Sequence, residues 1–129
     1  MISTIEDIEK FFNDKSFSKI FLLCGKNSFE NSGAKRLFYD SIKNKDIKIY
    51  YKISNLPNLN ELIEIIKEIK LFKPNLILAI GGGAIIDYAK IANLVDDRPD
   101  ISDLIKNYSY PIKKKYTELA AIPTTAGSG

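Results

Sequence analysis

The sequence predicts an α/β fold, a parallel sheet with helices on both faces, and three observations carry that expectation. Short apolar runs alternate with longer amphipathic stretches along the chain, the pattern of strands joined by crossover helices. The run Asn75–Ile80 is apolar nearly throughout, as a strand is when helices cover both of its sides. Two runs end in turns of small residues, after Ile80 and after Ile122, and in an open parallel sheet ligands sit at the carboxyl ends of the strands.

Each element follows from its local pattern. Ser3 and Glu6 form a capping box for a first helix reaching about Asn13, with Ile5, Ile8, Phe11 and Phe12 on one face. Lys19–Gly25 (KIFLLCG) is short, apolar and closed by glycine, so it reads as a buried strand. Either Ser28 or Asn31 opens the next helix, whose Ala34, Leu37, Phe38 and Ile42 recur at helical spacing. Asp46–Ile53 alternates polar and apolar residues up to Tyr51 and reads as a strand. After the polar loop SNLPNLN, Asn58 and Glu61 offer a second capping box. The helix it opens has Leu62, Ile63, Ile65, Ile66 and Ile69 on its apolar face and ends before Pro74. The strand Asn75–Ile80 is followed by a helix from Gly83 to about Leu94. A polar excursion holds a short helix at Ile101–Lys106, and Glu118–Ile122 is the last strand, closed by Pro123. No internal repeat or low-complexity segment is present.

Composition narrows the function classes. At 129 residues, 45% hydrophobic and 27% charged, the chain has the size and balance of one globular domain. The net charge is only +3, and the basic residues are scattered except at Lys113, Lys114 and Lys115, which read as a solvated loop and not as a nucleic-acid patch. The single cysteine, Cys24, excludes an internal disulfide and fits a reducing compartment. No apolar run reaches the ~18–20 residues of a membrane span. The N-terminus has acids early and no leader pattern, so a cytoplasmic protein with no membrane partner is expected. The chain contains no histidine, which removes the commonest general base and the commonest transition-metal ligand.

The stretch Gly81-Gly82-Gly83 joins an apolar strand to an amphipathic helix. The free N–H groups and positive dipole end of that helix suit a phosphate, which glycines let approach the backbone closely. The alternative is a tight strand-to-helix turn that binds nothing. The spacing is not the G-x-G-x-x-G dinucleotide fingerprint.

Longer strings are more specific. Gly81–Lys90, GGGAIIDYAK, and then Ala120–Gly129, AAIPTTAGSG, resemble the iron-containing alcohol dehydrogenase family, whose signatures run GGGS-x-x-D-x-A-K and I-P-T-T-A-G-T/S-G-S-E. Gly25–Lys35 (GKNSFENSGAK) and Phe72–Ile80 (FKPNLILAI) are similar to stretches of the same family. Within it the chain most resembles the branch related to phosphonoacetaldehyde reductases. Dehydroquinate synthases and glycerol dehydrogenases, the alternative relatives, share a similar glycine turn and PTT strand end, but the AGSG ending favours the alcohol dehydrogenases.

The resemblance implies a Rossmann-like N-terminal domain that binds NAD or NADP. Gly82, Gly83 and Ala84 would cradle the pyrophosphate, with Ala84 in place of the family's usual serine. Thr124 and Thr125 would hydrogen-bond the pyrophosphate and the nicotinamide-side ribose. Asp87, on the first turn of its helix, would lie close to the cofactor or else act as a dipole partner. Lys90 is either a further contact or a packing lysine. Many members carry an aspartate where Gly25 stands. Glycine leaves room for a 2′-phosphate, with Lys26 or Ser28 beside it, so NADPH is expected to be tolerated or slightly favoured; alternatively Gly25 merely ends its strand. Pro57 and Asn58 match the family's adenosine-side P-N-P segment only with a shift of register.

The resemblance stops at Gly129, inside the second signature. In the family the metal, iron or zinc, is held by an aspartate and histidines of a helical C-terminal domain, and the alcohol or aldehyde lies between the domains. Residues 1–129 therefore read as an N-terminal NAD(P)-binding domain cut short at its C-terminal end, with the metal-binding domain absent and no catalytic or metal residue expected. The longer parent would be an oxidoreductase, and this portion alone is expected to show little or no turnover. The alternative of another kind is a stand-alone nucleotide-binding or interaction module, its open face covered by self-association or by a separate C-terminal chain.

Overall fold

A computed structural model describes residues 10, 13, 14, 16–25, 30, 36, 45–53, 58–95, 99–106 and 115–124. Four strands, β1 (Lys19–Gly25), β2 (Asp46–Lys52), β3 (Leu76–Gly81) and β4 (Glu118–Pro123), form one sheet in the order β2-β1-β3-β4. All three pairings are parallel. Three helices are described in full, α1 (Leu59–Phe72), α2 (Gly83–Leu94) and the short α3 (Ile101–Lys106).

Burial follows position in the sheet. The central strands β1 and β3 are the two continuous apolar runs, and every residue from Ile20 to Gly25 and from Leu76 to Gly81 is buried. The edge strand β2 has no fully buried residue, which is why its sequence alternates instead of running apolar. Alternate side chains then divide the core in two. Phe21, Leu23, Ile77 and Ala79 face α1 and α2, packing on Leu62, Ile65, Ile66 and Ile69 of α1 and on Ile85, Tyr88, Ala89 and Ala92 of α2. Ile20, Leu22, Cys24, Leu76, Leu78, Ile80, Ala120 and Ile122 form the opposite layer, also buried, with Phe17, Ile47 and Ile49 against it. Each fully buried aliphatic side chain contributes on the order of 1.5–3 kcal/mol.

The two crossovers through α1 and α2 both travel toward β4 and lie on the same face, as crossovers of one hand must. The β1–β2 connection travels the other way. Helices were expected on both faces. Lys10, Asn13, Glu30 and Arg36 are helical, and the remainder of the two expected N-terminal helices lies outside the described residues.

Four strand ends differ from the sequence expectation, one of them the end of β3, which runs on through Gly81. Ile53 leaves β2 because its N–H donates to the Glu61 carboxylate at 2.7 Å, and its side chain is 82% exposed. Asn75 stands before β3. Its N–H donates to the Lys19 carbonyl at 2.8 Å and its side-chain oxygen accepts from the Lys19 N–H at 3.0 Å, locking the starts of two strands together. β4 continues one residue further, through Pro123, opposite Gly81. The end of α1 was read correctly from Pro74. Lys73 adopts the left-handed conformation (φ 54°), and its N–H donates to the Ile69 carbonyl at 2.9 Å before the proline.

Candidate functional site

The carboxyl ends of β1, β3 and β4 finish together. Cys24 pairs with Ile80 and Gly81 with Pro123, so Gly25, Gly81 and Pro123 lie along one edge of the sheet. The chain turns to opposite sides after β1 and after β3, which makes the space between these two strands the switch point, where parallel α/β sheets bind ligands. Thr124 N–H donates to the Gly81 carbonyl at 3.1 Å, so the two small-residue turns meet there.

The three glycines have different reasons to be glycine. Gly81 has φ +153°, which disfavours a side chain, and a Cβ on it would lie 2.3 Å from Ile85 Cδ1, so the Ile85 side chain would have to shift to admit one. Gly82 caps α2 with extended angles (φ −79°, ψ −175°) that other residues also adopt, and it supplies no side-chain cap. Gly83 is exposed, and among the described residues a Cβ there would meet nothing within 4 Å. The packing of the described residues therefore makes no demand for glycine at this position. The first bond of the helix runs from the Ile86 N–H to the Gly82 carbonyl at 3.2 Å, which leaves the amides of Gly83, Ala84 and Ile85 without an intrahelical acceptor. These amides, the dipole behind them and the open space over Gly83 fit an anionic diphosphate.

Beside this turn a groove of about 310 Å³ runs between the start of α1 and one face of α2. Asn58, Leu59 and Leu62 form one wall; Ala84, Asp87, Tyr88 and Ile91, at helical spacing, form the other, with Ile105 of α3 near them. Asp87 is exposed and lines this groove. The helix opens at Gly83 as expected, but Asp87 is its fifth residue, one past the first turn, and so is not the first-turn acid expected from the sequence. Lys90 is exposed one turn on.

The start of α1 is built differently from a reciprocal capping box. Asn58 Oδ1 accepts from the Glu61 N–H at 3.1 Å as expected, but the Glu61 carboxylate serves Ile53 instead of returning to Asn58. The Asn58 N–H donates to the Tyr88 hydroxyl, which itself donates to the Asn58 carbonyl at 3.2 Å. Tyr88 was not singled out from the sequence, since nothing local to it indicates a partner in another helix.

Of the other candidates, Gly25 is buried at the end of β1 in register with Lys52 of β2. Lys52 brings a cation to this edge that only the sheet register reveals. Thr124 lies beside Gly81, while Thr125, Lys26, Ser28 and Pro57 lie outside the described residues. Near the same edge, burial pushes the Cys24 thiol up to about 12. Desolvation, reinforced by Glu64 and Glu61, likewise raises the Tyr50 hydroxyl above its ordinary value. Among the described residues there is no group of three or more Cys, Asp or Glu arranged to hold a metal, and no helix is long and apolar enough to cross a membrane.

Comparison with known proteins agrees with this geometry. The sequence model of the family described as iron-containing alcohol dehydrogenase matches residues 2–129. An alcohol dehydrogenase of Thermococcus barophilus is 32% identical over 92 residues, 67% of this chain and 24% of that protein. An NADH-dependent butanol dehydrogenase A of Thermotoga maritima has the same fold with a TM-score of 0.74 at 22% identity, covering 95% of this chain and 31% of that one. A sulfoacetaldehyde reductase of Bifidobacterium kashiwanohense, in complex with NAD+, gives 0.72 at 23% identity over 98% of this chain and 34% of that one. At such identities the two structures speak for the fold alone. The chain spans about a quarter to a third of the length of these three proteins. Their names carry different substrates and do not single out the phosphonoacetaldehyde reductase-related branch. With a family match over nearly every residue and the fold of the family's N-terminal region, the chain belongs to the iron-containing alcohol dehydrogenases.

Proposed function

We propose that this chain is the NAD(P)-binding portion of an alcohol dehydrogenase or aldehyde reductase, seating the cofactor's diphosphate on the turn that opens α2. The observation that carries the reading is Gly83, an exposed glycine that the packing of the described residues does not require, at amides with no intrahelical acceptor. Gly82, Gly83 and Ala84 would receive the diphosphate through the backbone, and the neighbouring Thr124, followed by Thr125, would add donors from the second turn. Ala84 has no hydroxyl to give, so its contribution is its amide. Bound there, the nicotinamide supplies or accepts the hydride exchanged with a primary alcohol or aldehyde. The chain has no histidine, and the described residues offer no metal cluster, so iron or zinc would belong to the longer parent and no step here runs through it.

Cofactor choice rests on the end of β1. Gly25 puts no carboxylate against a 2′-phosphate, and Lys52 stands in register beside it, an arrangement that favours NADPH. The test is a titration of the purified chain and of Gly83→Val with NADH and NADPH. The unaltered chain should bind both, NADPH at least as tightly. Gly83→Val should melt within about 3 °C of it, since a Cβ there meets none of the described residues, yet bind at least about tenfold more weakly. Failure of the unaltered chain to bind either cofactor would refute the reading, and tighter binding of NADH would refute the preference alone.

A further inference from the structure

The hydroxyl of Tyr88 makes a pair of hydrogen bonds that join two helices at the edge where the cofactor is placed. It accepts from the Asn58 N–H and donates to the Asn58 carbonyl, whose position in the sequence is thirty residues away. The ring is 4% exposed in the core between α1 and α2, so its place is fixed by packing before either bond is counted. Its two partners belong to the residue that caps α1 and walls one side of the groove. Its own helix supplies the other wall, beginning at Ala84, whose amide belongs to the diphosphate seat. Leu62 N–H and the Tyr88 hydroxyl share the Asn58 carbonyl, so the start of α1 is bound from within its helix and from across the groove.

We propose that Tyr88 is a positioning residue for the dinucleotide: by holding both backbone groups of Asn58, it sets the far wall of the groove at a fixed distance from the helix that opens at Gly83. This rests on the NAD(P)-binding reading above. A wall that is already ordered need not be ordered by the ligand, and the affinity is higher by that saving. A phenylalanine would keep the ring and its packing while leaving the Asn58 N–H without this acceptor.

The experiment compares the full chain with Tyr88→Phe, and uses Asn93→Ala, near the end of α2 where its side chain bonds Thr117 ahead of β4, as a control for lost stability. NADH and NADPH are titrated into each, and exchange of the Asn58 amide proton is followed in the unaltered chain with and without NADPH. Tyr88→Phe should bind at least about fivefold more weakly, Asn93→Ala should stay within about twofold of the unaltered chain, and NADPH should slow Asn58 exchange by about fivefold or more. Equal weakening in both variants, or Tyr88→Phe binding within about twofold of the unaltered chain, would overturn the proposal. Should Tyr88→Phe fail to fold, the exchange measurement decides, with an unchanged Asn58 rate overturning it. If the unaltered chain binds neither cofactor, the functional reading itself falls, an outcome distinct from a bound chain whose Tyr88→Phe variant behaves normally.

Discussion

Gly81 and Gly83 are two residues apart and stand under opposite constraints. At Gly81 a methyl group would be held at a left-handed φ and driven into Ile85 Cδ1, so Gly81→Ala should lose roughly 1–3 kcal/mol of stability, read as a lower urea midpoint. At Gly83 the same methyl group would touch none of the described residues, and the cost is expected when a ligand is present. The sequence could place three glycines at a strand end but could not divide them by role, because that division depends on one angle and on where the Ile85 side chain lies. Cys24 makes a second residue-scale prediction. Burial raises its thiol from an ordinary value of 9.0 to about 12, so the folded state keeps the proton while the unfolded state releases it. The resulting stability is fully present below about pH 9 and is lost as pH climbs toward 12, by up to ~1.4 kcal/mol per pH unit, and Tyr50 shifts in the same direction. Urea midpoints that fall across this alkaline range, with a thiol reagent inert toward the native chain near neutrality, are the expected result.

At the scale of elements, the helices were legible where periodicity was strong. α1 follows from its isoleucines, Asn58 and Pro74, and its bounds match the reading closely. What escaped the sequence is who satisfies whom across elements. Glu61 serves Ile53, Asn75 clamps two strand starts, and Asn93 on α2 holds the approach to β4. The Asn93 side chain donates to the Thr117 carbonyl and accepts from the Thr117 N–H, both at 2.9 Å, while its own carbonyl accepts from the Tyr116 N–H at 2.8 Å. Asn93 is 4% exposed, so water cannot replace these bonds easily. Asn93→Ala should therefore cost about 1–3 kcal/mol, measured as a drop in the urea midpoint with the cooperativity of unfolding kept. None of these asparagine pairs is local in sequence, and pattern reading stops at local signals.

At the scale of the whole molecule, alternation of strand and helix pointed to a parallel sheet but not to the order β2-β1-β3-β4, which decides which turns become neighbours. That order brings Lys52 beside Gly25 and Thr124 beside Gly81. The family strings were legible because they are continuous, whereas the groove between α1 and α2 is assembled from distant stretches and was not. Since the chain lacks histidine and spans about a quarter to a third of the three named proteins, assays with short aldehydes and either reduced cofactor, with or without added Fe2+ or Zn2+, should stay at the rate of a heat-inactivated control. Turnover well above that control would mean that these residues reach the chemistry by a route the described side chains do not display.

The hydrogen bond from Thr124 to Gly81 carries a practical consequence for protein engineers. Because it joins main-chain atoms, an imported stretch keeps it so long as position 124 retains an N–H and position 81 stays glycine at its positive φ. A graft that places proline at 124 would unfasten the two turns.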